Sequence, residues 1–139
     1  MKKREPVSHI MSKHVVSLNL THSLEDAEKL FKKHAIRHIP VVSGDELIGM
    51  LSLTDLLRIS FVDNYGEDEG RIDTAVYNML SIEQVMVSNP VAVEADLTIR
   101  EVAEILSTRE FHALPVVEGK KLVGIVTTTD LIKYMLEQY

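Results

Sequence analysis

The residues best suited to chemistry sit in two short strings, Gly49-Met50-Leu51-Ser52-Leu53-Thr54-Asp55 and Gly124-Ile125-Val126-Thr127-Thr128-Thr129-Asp130. Each sets two hydroxyls, Ser52 and Thr54 or Thr127 and Thr129, just ahead of an aspartate. A helix opening there would present unpaired N–H groups and the positive end of its dipole, both of which favour phosphate. The hydroxyls add neutral donors beside them. A carboxylate repels phosphate, so Asp55 and Asp130 suit a ribose instead, whose two adjacent hydroxyls can both donate to one carboxylate. Hydroxyls and amides to phosphate, aspartate to ribose and apolar walls to a base would make a nucleotide site. The pairs Thr54-Asp55 and Thr129-Asp130 are equally well suited to cap a helix, worth about 1 kcal/mol each. The two roles are compatible, because a cap sits where an anion site forms.

Cations stand nearby in sequence. Arg37-His38 precedes an apolar run, and His112 occupies the position matching Arg37 in the second half. Arginine suits bidentate contact with phosphate, although a solvent-facing strand end explains these residues equally well. The six histidines, His9, His14, His22, His34, His38 and His112, form no ligand motif for zinc, and no metal site is expected. The chain also lacks a G-x-S-x-G elbow, a Walker A string and a G-x-G-x-x-G turn. No catalytic constellation emerges.

The elements that must position these residues are duplicated. An offset of 75 residues, the separation of Asp55 from Asp130, lays IPVVSGDELIGMLSLTDLL (39–57) on LPVVEGKKLVGIVTTTDLI (114–132) without a gap. Upstream, Met11 and Val16 recur as Met86 and Val91. Each half begins with a short apolar run, Val15–Leu18 or Val91–Val93, suited to a strand. Ser23 with Asp26, and Thr98 with Glu101, are capping-box starts for a helix. Leu24, Ala27, Leu30 and Phe31, like Ile99, Val102, Ile105 and Leu106, recur at helical spacing and form one apolar face. Two β-branched runs follow, joined by Gly-containing turns at Ser43–Glu46 and Glu118–Lys121. A last helix then opens at Thr54-Asp55 or Thr129-Asp130. The unit is β-α-β-β-α, present twice. Asp55 and Asp130 therefore belong to equivalent places in two repeats and not to one acid–base couple.

Between the copies, Asp63–Asp73 is acidic and carries two glycines, which reads as a solvated loop. It could meet a divalent cation but lacks the residue order of a calcium loop. Thr74–Leu80 reads as a helical lead-in to the second copy. The expected division is residues 1–61 for the first repeat, 62–80 for the linker and lead-in, and 81–139 for the second repeat.

Composition bounds the remaining possibilities. The 139 residues are 45% hydrophobic and 26% charged, a globular balance. A net charge of −6 disfavours nucleic acid as a partner. The absence of cysteine excludes disulfides and thiolate chemistry. The N-terminus carries positive charge with no apolar core behind it, and no apolar run approaches a membrane span. A cytoplasmic location with no membrane partner is the resulting expectation.

The order h-P-V-V, then G-h-h-[ST]-x-[ST]-D, preceded by a V-x-x-h-M start, resembles the cystathionine-β-synthase-type (CBS) domain. The matching pieces are Val7–Met11, Ile39–Val42 and Gly49–Asp55, then Ile82–Met86, Leu114–Val117 and Gly124–Asp130. Two copies at a fixed spacing cover nearly the whole chain. The resemblance implies an α/β (α+β) fold in which two repeats pack as a pseudo-twofold pair, a Bateman module, with two such units making a dimeric disc. It also implies clefts between the repeats that take AMP, ADP, ATP or S-adenosylmethionine, with or without magnesium, as a regulatory ligand and not as a required cofactor. Occupancy would then be passed to an effector protein, or to the rest of a longer protein of which this chain is a fragment, since the repeats fill it almost from end to end. On this basis Asp130, Thr127, Thr129, Asp55, Ser52, Thr54, His112, Arg37, His38 and Ser17 are the candidate nucleotide residues. Ser17 stands where the family often has threonine near the base, and the second copy has Ala92 there. The two clefts should therefore differ. The alternative expectation is a ligand-independent dimerisation scaffold with vestigial clefts.

Overall fold

The structure, a computed structural model, describes residues 4–63 and 79–139. The expected acidic loop and most of the helical lead-in lie outside the described residues. The chain is a mixed α/β fold that divides into two compact units, Val16–Pro90 and Met1–Val15 with Val91–Tyr139.

In the first unit, α1 (Leu24–His34) starts with the expected capping box: the Ser23 N–H donates to Asp26 Oδ2 at 2.9 Å, and the Asp26 N–H donates to Ser23 Oγ at 3.1 Å. It stops at Ala35, which takes a left-handed conformation with φ 51° and donates its N–H to Phe31 O. Strand β1 (His38–Ser43) turns at Gly44, with φ 63°, into antiparallel β2 (Glu46–Ser52). Helix α2 (Leu53–Asp63) follows directly.

The run Val15–Leu18 contributes only one bridge, with the Leu18 N–H donating to Pro40 O and the Val42 N–H to Leu18 O. The next bond of a parallel ladder would need an N–H on residue 40. Proline has none, so the strand cannot extend backward.

A short helix α3 (Ile82–Val85) and β3 (Val87–Ser88), antiparallel to β2, complete this unit. Ile82 is fully buried there beside Leu18, Leu24, Ile39, Leu51 and Leu56. The burial of such a side chain is worth about 1.5–3 kcal/mol.

The second unit repeats the pattern. Strand β4 (Val93–Glu94) runs parallel to β5 (Ala113–Glu118), which is antiparallel to β6 (Lys121–Thr127) across Gly119, with φ 64°. Helices α4 (Ile99–Thr108) and α5 (Thr128–Glu137) follow β4 and β6 respectively. At the start of α4 the box is only half made. The Glu101 N–H donates to Thr98 Oγ1, but the Thr98 hydroxyl, not its N–H, reaches Glu101 Oε1.

The segment starting at Val7, which forms a single 3₁₀ turn over Val7–His9, docks here. The Val7 N–H donates to Leu97 O at 2.7 Å, and Ser12 and Ile125 exchange backbone bonds of 2.8 and 3.0 Å. Val7 is fully buried with Val102, Leu114, Val116 and Val126.

Sequence repeat and compact unit are thus different pieces of chain. Val7 and Ile82 are equivalent residues, and each completes the core around the other copy's strands. The following methionines do the same. An added Cβ on Gly49 would lie 2.3 Å from Met86 Sδ, and one on Gly124 would lie 2.4 Å from Met11 Sδ. These two glycines are flat seats for the methionines of the exchanged segments.

Candidate functional site

In each unit the strand-to-helix corner gathers the candidate residues. Strand pairing sets His38 opposite Ser52, and Ala113 opposite Thr127. The residue before each first strand then closes the helix start. Arg37 O accepts from the Leu53 N–H at 2.9 Å, and His112 O accepts from the Thr128 N–H at 3.0 Å.

The caps differ from the expected pairs. Ser52 and Thr127 cap the helices, not Thr54-Asp55 and Thr129-Asp130, because the strand delivers extended backbone up to that residue. Thr127, with φ −121° and ψ 165°, accepts from the Asp130 N–H at 3.2 Å. Ser52 Oγ accepts from the Asp55 N–H at 3.0 Å. Asp55 and Asp130 are consequently third residues of their helices, and Thr54 and Thr129 lie inside the first turn with exposed side chains.

The two corners differ chemically. At Asp130 both the Thr127 N–H and the Thr127 hydroxyl donate to Oδ2, at 2.9 and 3.1 Å, while Oδ1 has no partner among the described residues. The Thr127 proton is thereby committed to the carboxylate. At Asp55 the reciprocal bond is missing among the described residues, and Oδ1 faces Nη1 of the exposed Arg58 at 3.6 Å, the Asp55 side chain itself being 24% exposed. Ser52 accepts without donating there.

Ser17 is exposed and immediately precedes Leu18, the residue bridged to β1; Ala92 immediately precedes β4 in the same way. Arg37 is exposed and lines an open hollow of about 430 Å³ on the α1–α2 side, floored by Phe31, Ile36, Leu53 and Leu56. His112 is exposed and His38 half-buried. The hollow had no counterpart in the sequence reading. On its rim stands Leu57, an apolar residue that is 49% exposed.

Residues 7–61 and 82–137 each match the CBS domain family. The chain belongs to that family. A solved CBS domain pair, that of protein MJ0100 in complex with 5′-methylthioadenosine and S-adenosyl-L-methionine, is 25% identical and superposes with a TM-score of 0.76 over 96% of this chain and 98% of that one. The CBS-pair protein CBSX2 of Arabidopsis thaliana, solved in complex with AMP, shares the fold at 23% identity, with a TM-score of 0.80 over 96% and 98% of the two chains.

Among curated relatives, the inosine-5′-monophosphate dehydrogenase of Korarchaeum cryptofilum is 27% identical over 118 residues, which are 84% of this CBS pair and 21% of that enzyme. The pair spans less than half the length of the first curated relatives it matches. Among the described residues, no helix is long and apolar enough to cross a membrane.

Proposed function

We propose that this CBS pair is a cytoplasmic regulatory module, not a catalyst, that binds an adenosine nucleotide at its strand-to-helix corners and passes the occupancy to a partner protein. The observation that carries the reading is the duplicated corner, in which Asp130 Oδ1 has no partner among the described residues and lies in the same first helical turn as the exposed Thr129. A ribose diol can donate to that oxygen without breaking the bonds to Oδ2. The adenosine compounds bound by the CBS pair of MJ0100 and by CBSX2 support the ligand class. Ser52, Thr54 and Asp55 supply the equivalent groups in the first unit, with Ser17, Arg37, His38 and His112 as flanking contacts and magnesium as an optional companion of phosphate. The module acts as a homodimer. Ligand shifts its partner only through unequal affinity for two arrangements.

A second reading is favoured by one observation. The Asp130 carboxylate is already employed in a capping box, which a ligand-independent scaffold would also retain. Thermal shift against AMP, ADP, ATP and S-adenosylmethionine separates the two readings. A ligand at 100 times its dissociation constant adds about 2.7 kcal/mol, several degrees of melting temperature. Asp130→Asn keeps an oxygen to accept from Thr127, so the free protein should melt close to wild type. Losing a charged acceptor for the diol should weaken binding by about 1.5–3 kcal/mol, or roughly 12- to 150-fold. An undiminished ligand shift in Asp130→Asn, or no shift with any adenosine compound, would leave the scaffold standing.

A further inference from the structure

We propose that Glu5 and Tyr134 form a polar clasp that assigns the leading segment of the first repeat to the second unit, in preference to its counterpart from the second repeat.

The cores and the glycine seats do not discriminate between the two segments, since Val7 and Ile82 fill equivalent places and Met11 and Met86 equivalent seats. The difference lies two residues upstream. The Tyr134 hydroxyl donates to Glu5 Oε2 across 129 residues of chain, and Glu5 Oε1 lies 3.4 Å from His9 Nδ1. Tyr134 is only 7% exposed on α5, and a buried phenol takes a hydrogen-bond partner. At the repeat offset, Leu80 stands at the place of Glu5 and Ile59 at that of Tyr134. Leu80 packs partly buried against the first core. The first unit thus has apolar residues at both places, and the second a carboxylate and a phenol. Were the segments interchanged, Leu80 would offer the Tyr134 hydroxyl no acceptor, and Glu5 would find isoleucine in place of the phenol. A buried polar group deprived of its partner costs more than the bond itself contributes.

The backbone carries the same asymmetry. The Ile99 N–H donates to Glu5 O at 2.8 Å, the Val7 N–H to Leu97 O at 2.7 Å and the Ser8 N–H to Ala95 O at 3.2 Å. Among the described residues, no equivalent bonds join Leu80, Ile82 and Glu83 to Leu20, His22 and Leu24 in the first unit. The Glu5 carbonyl is thus tied to the first residue of α4 while its side chain reaches α5. One residue holds the segment to both helices of the second unit. Tyr134 follows Asp130 by about one turn, so the segment is fastened to the helix whose first turn holds Asp130.

The chain has no cysteine, so introduced thiols report the two segments separately. Val7→Cys and Ile82→Cys, both at fully buried positions, react with iodoacetamide only when their segment opens. Adding Tyr134→Phe or Glu5→Leu should speed labelling of the Val7→Cys chain roughly tenfold and leave the Ile82→Cys chain unchanged. The two changes together should do no more than either alone. Equal acceleration at both cysteines, or full additivity, would overturn the clasp, because a general loss of stability acts in that way. A second experiment reads the assignment by oxidation with diamide, which takes up the two thiol hydrogens as a disulfide forms. Ser12→Cys should link to Ile125→Cys and not to Met50→Cys, the equivalent position in the first unit. In a chain carrying Glu5→Leu and Leu80→Glu, peptide mass spectrometry should find the 12–50 disulfide at the expense of 12–125. An unchanged preference for 12–125 in that chain would overturn the assignment and leave connectivity as what selects the segment.

Discussion

Replacing Gly49 and Gly124 by alanine tests the exchange of leading segments, and the two substitutions should not cost the same. At Gly49 the three nearest neighbours of the added Cβ all belong to the Met86 side chain, at 2.3, 3.1 and 3.1 Å. Methionine has three rotatable bonds and can swing aside, so Gly49→Ala should destabilise by about 1 kcal/mol, the low end of the usual overpacking range. At Gly124 the Cβ meets Met11 Sδ at 2.4 Å and also the backbone oxygen of Ser12 at 2.9 Å. That oxygen accepts from the Ile125 N–H at 3.0 Å and cannot retreat without loosening the segment that buries Val7. The cost there should reach about 2–3 kcal/mol, some 6–12 °C in melting temperature for a chain of this length. Urea denaturation of both variants and of Gly49→Ala/Met86→Ala is the assay. In the double variant the clash is gone, so the two effects should fall short of additivity by about 0.5–1 kcal/mol. Equal losses at the two glycines, or strict additivity at 49 and 86, would refute the account of methionines seated on glycines.

Two further expectations concern α1. Ala35 holds φ 51° and ψ 44° at the end of the helix. Ala35→Gly should therefore raise the stability by about 0.5–1 kcal/mol, net of glycine's entropy cost, and the urea midpoint with it, and a lower midpoint would contradict the assigned conformation. The Asp26 carboxyl is held below the usual aspartate range, first by the Ser23 N–H and then by the Ser23 hydroxyl. A depressed folded value means the box's contribution is complete above the unfolded value of about 3.9 and fades as pH falls through the folded one. The melting temperature should therefore drop less steeply below about pH 4 in Asp26→Asn than in wild type; parallel acid limbs would remove Asp26 from the explanation.

The duplicated β-α-β-β-α order was legible because each element carries a local signal: an apolar face at helical spacing, a Gly turn, a capping residue three positions before its acid. The cap at the last helix was less legible. Thr127-Thr128-Thr129 offers three hydroxyls in a row, and only the backbone angles that the strand imposes choose among them. The short first strands were overestimated at Val15–Leu18 and Val91–Val93, although Pro40 and Pro115, which supply no N–H to a neighbour, stand in the sequence. The exchange of Val7–Met11 with Ile82–Met86 could not be read at all. Either methionine satisfies either glycine, and either apolar residue satisfies either core, so a repeat conceals which copy receives which segment. The hollow is likewise invisible to periodicity, being a space between two helices that each read correctly alone.

The corner chemistry bears on how much each unit can contribute to binding. A hydroxyl can donate only one proton. Thr127 spends its proton on Asp130 Oδ2, so for phosphate the second corner has only Thr129 among its two named hydroxyls unless the capping box rearranges. Ser52 donates to no carboxylate among the described residues, so both Ser52 and Thr54 remain able to meet phosphate there. The aspartates reverse this order. Asp130 has one oxygen without a partner among the described residues, whereas Asp55 shares an oxygen with the exposed Arg58 at 3.6 Å, a long pairing worth little and easily given up. On the proposed function the first corner is therefore the better phosphate partner and the second the better ribose partner. Ala92 in place of a hydroxyl, and His112 in place of Arg37, reduce polar contacts in the second unit in the same direction. Repetition of the fold thus need not mean repetition of affinity, because a capping box and an arginine three residues away change what two nearly identical strings can offer.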